Sequence, residues 1–177
     1  GDLVDVGFWP NEVIAWIQSN NVPCVMGNHD SWVIENYHRL REFRDLPDSE
    51  LGWEMHNAKL LNSDEVAFLE KLPDVLEVEI GGVNYGMRHL VGDFRKVDEI
   101  LSVHTFESFT AEYFLTIPTL THLILGHTHR QAVRWLSNDR CWLNHGSVSY
   151  RRWDDPDPTA HYMTIVDGEI KFHRLEY

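Results

Sequence analysis

Two short apolar runs in this chain end in the same way. Val22–Met26 stops at Gly27 and is followed by Asn28, His29 and Asp30, and the run Leu123–Leu125 stops at Gly126 and is followed by His127, Thr128 and His129. Runs without polar alternation fit strands buried on both faces of a sheet, which needs covering layers on both sides and therefore an α/β architecture. The surrounding pattern agrees. From Pro10, Val13, Ile14, Trp16 and Ile17 fall at helical spacing behind a proline suited to a first turn. A helix is predicted over Ser31 to Leu40, then an irregular stretch to Asn62, then a helix capped by Ser63 with Asp64 and Glu65 in its first turn, running to Leu72. In the second half, Val75–Ile80 and Val83–His89 alternate with period two around Gly81-Gly82 and read as a hairpin. A helical stretch carrying Phe106, Phe109, Tyr113 and Phe114 precedes the Leu123–Leu125 run. Short strands follow in QAVRWL, CWLNHG, YMTIV and EIKFHRL, the last two joined by Asp167-Gly168, a strong two-residue turn signal.

At 177 residues the chain is expected to form one domain, 1–177, and its 8 Phe, 7 Trp and 6 Tyr are enough to close a core. It begins on GDLVDVG with no initiator Met, which reads as the middle of a protein, so the domain is expected to be N-terminally incomplete with a first strand missing. Fifteen basic against 28 acidic residues give a formal charge of −13, which repels nucleic-acid backbone and anionic membrane. No stable nucleic-acid partner and no membrane partner are expected. Cys24 and Cys141 sit in apolar surroundings typical of reduced thiols, no run approaches the ~18 apolar residues of a membrane span, and a cytoplasmic protein is expected. The oligomeric state is open, a homo-oligomer included.

Eleven histidines exceed what packing needs, and His29, His89, His127 and His129 follow predicted strands where loops begin. In open α/β sheets ligands bind beyond the carboxyl ends of strands. Gly1-Asp2, Gly27–Asp30 and Gly126–His129 each set a turn-forming glycine before groups that can ligate a metal. Imidazole, carboxylate and amide donors together suit borderline divalent ions such as Mn, Fe, Ni or Zn, and the lack of Cys ligands argues against structural zinc. A lone Gly-Asp or a lone His is ordinarily structural; the three segments in this order are specific. Two such ions about 4 Å apart clamp an in-line displacement at phosphorus, so the chemistry fits phosphate-ester hydrolysis, with one non-ligand histidine useful as general acid for the leaving oxygen or as a donor to the phosphoryl group.

These residues resemble the calcineurin-like metallophosphoesterase superfamily, whose blocks run Asp-x-His, GDxxD, GNHD/E, a His after a strand, and GHxH. The resemblance covers nearly the whole chain and is closest to the small prokaryotic phosphodiesterases, whose PNEVI helix is similar to Pro10–Ile14 and whose NPGSV block is similar to Asn144–Val148. It implies an α/β sandwich of two mixed sheets flanked by helices and two divalent metal ions, with Mn favoured. It further implies that Asp2 bridges the metals, that Asn28, His89 and His127 complete one site, that His129 serves the other, and that His29 is the catalytic histidine. The Asp-x-His block has no counterpart in the chain, His89 stands in RHLVGD rather than a His-Gly context, and His145 takes the place of the block's proline.

The leading expectation is a metal-dependent phosphodiesterase whose partner is a small organic or nucleotide phosphoester. Arg151 and Arg152, after the NHGS segment, are either phosphate contacts, since Arg suits bidentate phosphate recognition, or a solvated or salt-bridged pair. A phosphoprotein or dinucleoside-polyphosphate phosphatase is an alternative, because GDLVDVG is similar to GDxVDRG with Val6 in place of Arg; a non-catalytic protein-binding scaffold on the same fold is another. His38, His56, His104, His122, His161 and His173 are assigned to core or surface, and the tryptophans to core or interface.

Overall fold

Pro10 opens helix α1 (Pro10–Ser19) at a position where its missing N–H costs nothing, and the helix buries Pro10, Ile14 and Ile17. The computed structural model describes residues 1–43, 45–90, 100–114, 120–149 and 157–176, and the chain divides into two compact units, Gly1–Asp74 and Val75–Tyr177.

Every regular element among the described residues of the first unit is a helix: α1 is followed by α2 (Asn28–His38), α3 (Leu40–Phe43), a 3-10 turn at Asp48–Glu50, α4 (Trp53–Leu60) and α5 (Ser63–Leu69). Val4, Ile14, Val33, Phe43, Ala58, Leu61, Val66 and Leu69 form its core. Four expectations are corrected here. The stretch from 40 to 60 is not irregular, because Phe43 and Ala58 are buried and the short helices carrying them pack on that core. The cap of α5 is Asn62 rather than Ser63: its Oδ1 accepts from the N–H groups of Asp64 and Glu65 at 2.9 and 3.1 Å, while the Glu65 carboxylate accepts from Asn62 N–H at 2.8 Å. Val22–Met26 makes no strand. Pro23 has no N–H to give a ladder, no strand exists among the described residues of this unit to pair with it, and Met26 N–H donates instead to Pro73 O at 2.8 Å. Finally, Asn28, His29 and Asp30 do not sit on a loop but form the first turn of α2.

In the second unit β1 (Val75–Ile80) and β2 (Val83–Arg88) pair antiparallel around Gly81-Gly82. β3 (His122–Leu125) lies parallel to β2, β5 (Cys141–His145) parallel to β3, and β4 (Gln131–Trp135) antiparallel to β5. The result is a mixed five-stranded sheet in the order β1-β2-β3-β5-β4. Strand alternation sends Leu123, Leu125 and Trp142 to one face, where they pack with Phe106 and Phe109 of α6 (Val103–Tyr113). Ile124 and Leu143 go to the other, against Met163, Ile165 and Ile170 of β6 (Ala160–Val166) and β7 (Glu169–Leu175). The unit is thus helix on sheet on hairpin, an α/β arrangement. The β6–β7 ladder is antiparallel, not mixed as expected, because a two-residue turn at Asp167-Gly168 joins its strands directly. No described helix is long and apolar enough to cross a membrane.

Candidate active site

In the first unit the polar residues converge on the start of α2. Asp30, the third residue of the helix and fully buried, accepts four backbone N–H groups: Gly27 and Asp2 at 2.9 Å on Oδ2, Leu3 at 2.7 Å and Val4 at 3.2 Å on Oδ1. One carboxylate therefore caps the helix and fixes the course of residues 2–4. Burial pushes its carboxyl above the ordinary range, against the amide donors that favour the charge. The Asp2 carboxylate accepts the His29 N–H at 3.0 Å. Asp2 lies so close to Gly27 that a Cβ there would stand 2.1 Å from its Oδ1 and 2.2 Å from its backbone N. Gly27→Ala is expected to displace Asp2 and lower the unfolding free energy by about 1–3 kcal/mol, the cost of overpacking, read by denaturant titration.

His29 is the centre of this cluster. Its Nδ1 pairs with the carboxylate of Asp5, which is 3% exposed, and its Nε2 stands 3.9 Å from Asp2 Oδ2. A carboxylate oxygen accepts, so in this pair Nδ1 donates and Nε2 is left on the Asp2 side of the ring. Burial alone would push this imidazole down. The hydrogen bond to Asp5 and the charges of Asp2, Asp5 and Asp30 outweigh it and hold the group above its ordinary value. Asp5 has a positive φ of 96°, and the side chain of Asn57 on α4 brackets its backbone. Trp32, one turn along α2, lies against the His29 ring with centroids 4.7 Å apart.

In the second unit three histidines follow strand ends. His89 comes directly after β2; its ring and that of His127 meet edge to face with centroids 5.7 Å apart. Gly126 N–H donates to His89 O at 2.9 Å, tying the ends of β2 and β3 together. Thr128 N–H then donates to Gly126 O at 2.8 Å across His127, which sits at φ 66°, and His129 follows at φ 60°. Such γ-turns are strained and persist where neighbours over-determine them. Here the neighbour is Asn144 on β5, fully buried, whose Nδ2 donates to Gly126 O at 2.6 Å and Thr128 Oγ1 at 2.9 Å while its Oδ1 accepts from Gly146 N–H at 3.0 Å. Beside it, burial pushes His145 down to about 4, so this imidazole is neutral at neutral pH. Gly146 is required twice over: its φ is +86°, and a Cβ would stand 2.4 Å from the Cβ of His161.

Of the expected site residues, the first unit thus gathers Asp2, Asn28 and His29 at one helix terminus, and the second gathers His89, His127 and His129 at adjacent strand ends. Arg151 and Arg152 lie outside the described residues. Sequence reading missed Asp5, Asp30, Asn57 and Asn144; the second acid of Gly-Asp-x-x-Asp was a usable signal for Asp5, whereas Asn57 had none. His161 is buried, as assigned, and pairs with Asp157 at 3.2 Å. Trp9, Trp16 and Trp135 are more than half exposed and are not core. The donors are of kinds that suit a borderline divalent ion, a carboxylate and an amide in the first unit and imidazoles in the second, and no group of three or more His, Cys, Asp or Glu stands in metal-holding geometry among the described residues.

The profile of the calcineurin-like phosphoesterase superfamily domain matches residues 1–168. The chain is 27% identical over 194 aligned positions to the uncharacterized protein MJ0912 of Methanocaldococcus jannaschii, covering 100% of this chain and 74% of that protein. It is similar in structure to hypothetical protein PH1004 from Pyrococcus horikoshii OT3, with a TM-score of 0.71, 18% identity and coverage of 100% of this chain and 73% of that one. A metallophosphoesterase from Sphaerobacter thermophilus gives a TM-score of 0.68 at 23% identity, covering 100% of this chain and 75% of its own. At these identities the two structures speak to fold alone.

Proposed function

The chain belongs to the calcineurin-like phosphoesterase superfamily, and from that premise we propose that it is a metal-dependent phosphodiesterase acting on small organic or nucleotide phosphodiesters. The observation that carries the proposal is His29, whose Nδ1 is engaged by a buried carboxylate and whose Nε2 stands on the side of Asp2. A hydrolytic step at phosphorus needs a proton on the departing alkoxide, and an imidazolium held at Nδ1 delivers it from Nε2. Asp5 orients the ring and stabilises its charged form. In this reading Asp2, Asn28, His89, His127 and His129 hold the divalent ions, which number two with Mn favoured, and those ions supply charge neutralisation of the phosphoryl group and activation of water. Asn144 supports the ligands by fixing the turn that bears His127 and His129. Arg151 and Arg152 are proposed to meet the substrate phosphate. A cytoplasmic setting belongs to the same reading, two cysteines being too few for a disulfide framework; burial pushes Cys141 up to about 12.

The test is hydrolysis by the Mn-loaded protein of bis(p-nitrophenyl) phosphate, p-nitrophenyl phosphate and a phosphopeptide. The diester is expected to be favoured over the others by on the order of tenfold or more in kcat/KM. Preference for the phosphopeptide would make the protein a phosphatase of another substrate class, and retention of metal without any hydrolysis would make it a binding scaffold.

A further inference from the structure

We infer that Asn57 is the positioning residue for the Asp5–His29 pair, fixing through the backbone of Asp5 where that carboxylate meets the imidazole. This rests on the reading of His29 as the general acid. Asn57 is 1% exposed and lies 52 residues from Asp5, so its placement there is a product of tertiary packing and not of a local turn. Its amide grips both polar groups of the Asp5 backbone: Oδ1 accepts the Asp5 N–H at 3.2 Å and Nδ2 donates to Asp5 O at 2.7 Å. Further contacts of Nδ2 with Gly7 O at 3.1 Å and Trp53 O at 3.2 Å hold the amide itself in place, the latter from within α4. The shortest of these bonds is the one to Asp5.

The grip has work to do because Asp5 is at φ 96°, well beyond the left-handed helical well near +57°. A non-glycine residue there costs on the order of 1–3 kcal/mol and stays only when its surroundings over-determine it. A residue free to relax would rotate about φ and swing its Cβ away. That rotation would take the carboxylate off His29 Nδ1, leaving the imidazole without the partner that sets its tautomer and orientation. Asn57 is thus matched to a strained backbone whose side chain serves another residue. A buried Asn that only closed a loop would need neither the strain nor both bonds at a single residue.

The experiment is a double-mutant cycle on the full chain, with Asn57→Ala and Asp5→Ala, reading kcat and KM on an alkyl phosphodiester, whose departing alkoxide must be protonated, with excess Mn. It is accompanied by proton NMR of the His29 imidazole N–H in protein labelled with 15N-histidine. Asn57→Ala is expected to lower kcat by about 10- to 100-fold with KM within about twofold, as for other residues that act by orienting a functional group. In the Asp5→Ala background the same change is expected to add less than about twofold, because the two residues act as a unit. The downfield His29 Nδ1–H signal is expected in the unmodified chain and lost in either single variant. Should Asn57→Ala lose the fold, Asn57→Ser, which retains an acceptor for the Asp5 N–H, is read in the same way. Retained kcat with a retained imidazole signal, losses that multiply in the double variant, or unfolding of both Asn57 variants overturns the positioning role. If the unmodified chain hydrolyses no phosphoester, the functional reading fails, and the imidazole signal still decides whether Asn57 sets the pair.

Discussion

Replacing His29 by glutamine is expected to lower turnover of a phosphodiester by about 100-fold or more while leaving metal content nearly unchanged, the scale of a lost general acid. Glutamine keeps a polar group of similar reach and the backbone N–H that donates to Asp2, so the cluster around Asp2 survives. What it lacks is a proton it can give up near neutral pH. The pH profile of the unmodified protein carries the same information. His29 is held above its usual value near 6.5 in the folded chain. The protonated ring therefore stabilises the fold fully below about pH 6.5 and that contribution fades as pH rises through the folded-state value. The proton needed by the leaving group is lost over the same window, so turnover is expected to fall on the alkaline side, and the His29→Gln variant is expected to lack that limb. Loss of metal in the variant would make His29 a ligand, and unchanged turnover would remove it from the mechanism.

The largest effect on stability is expected at Asp30. Its carboxylate is the acceptor for the N–H groups of Asp2, Leu3, Val4 and Gly27, at 2.7 to 3.2 Å and without exposure to solvent. Asp30→Ala leaves four donors in a site from which their acceptor has gone. A buried polar group without a partner costs about 1–3 kcal/mol, and entry of water into the vacated space offsets part of the sum. A loss of at least about 3 kcal/mol is expected in urea titration, with the first turn of α2 and residues 2–4 losing hydrogen-exchange protection first. Asp30→Asn, which keeps one carboxylate-like oxygen and turns a donor toward the other two N–H groups, is expected to fall between the two. A loss under about 1 kcal/mol in Asp30→Ala would show that residues 2–4 are held by something else.

The parts of this protein that were legible in its sequence are those specified by neighbours. The β1–β2 and β6–β7 hairpins were readable because Gly81-Gly82 and Asp167-Gly168 adopt positive φ at the turns, a local preference that also sets register. Gly-Asn-His-Asp and Gly-His-Thr-His stand out because each sets a glycine directly before polar groups, although the first block opens a helix rather than a loop. Val22–Met26 was misread because an apolar run reports burial and not pairing, and pairing depends on which segments of the same unit are strands. The helices between residues 40 and 60 were missed because four and eight residues give too little periodicity to register. Asp5 stands inside the Gly-Asp-x-x-Asp block yet gains its meaning only from contact with His29, 24 residues away. Asn57 is the extreme case: its role is fixed entirely by where α4 places it.

The central claim, metal-dependent hydrolysis of a phosphodiester by this chain, is tested most directly by stripping the protein with a chelator, desalting it and reloading it with Mn. Metal per chain and turnover of bis(p-nitrophenyl) phosphate are measured at each stage. Turnover is expected to vanish on stripping and to return in proportion to bound Mn, and with an alkyl phosphodiester, whose departing alkoxide must be protonated, to stay at least about 100-fold lower in His29→Gln at equal metal content. Turnover that is indifferent to stripping, or a fully loaded protein that hydrolyses no phosphoester, would contradict it.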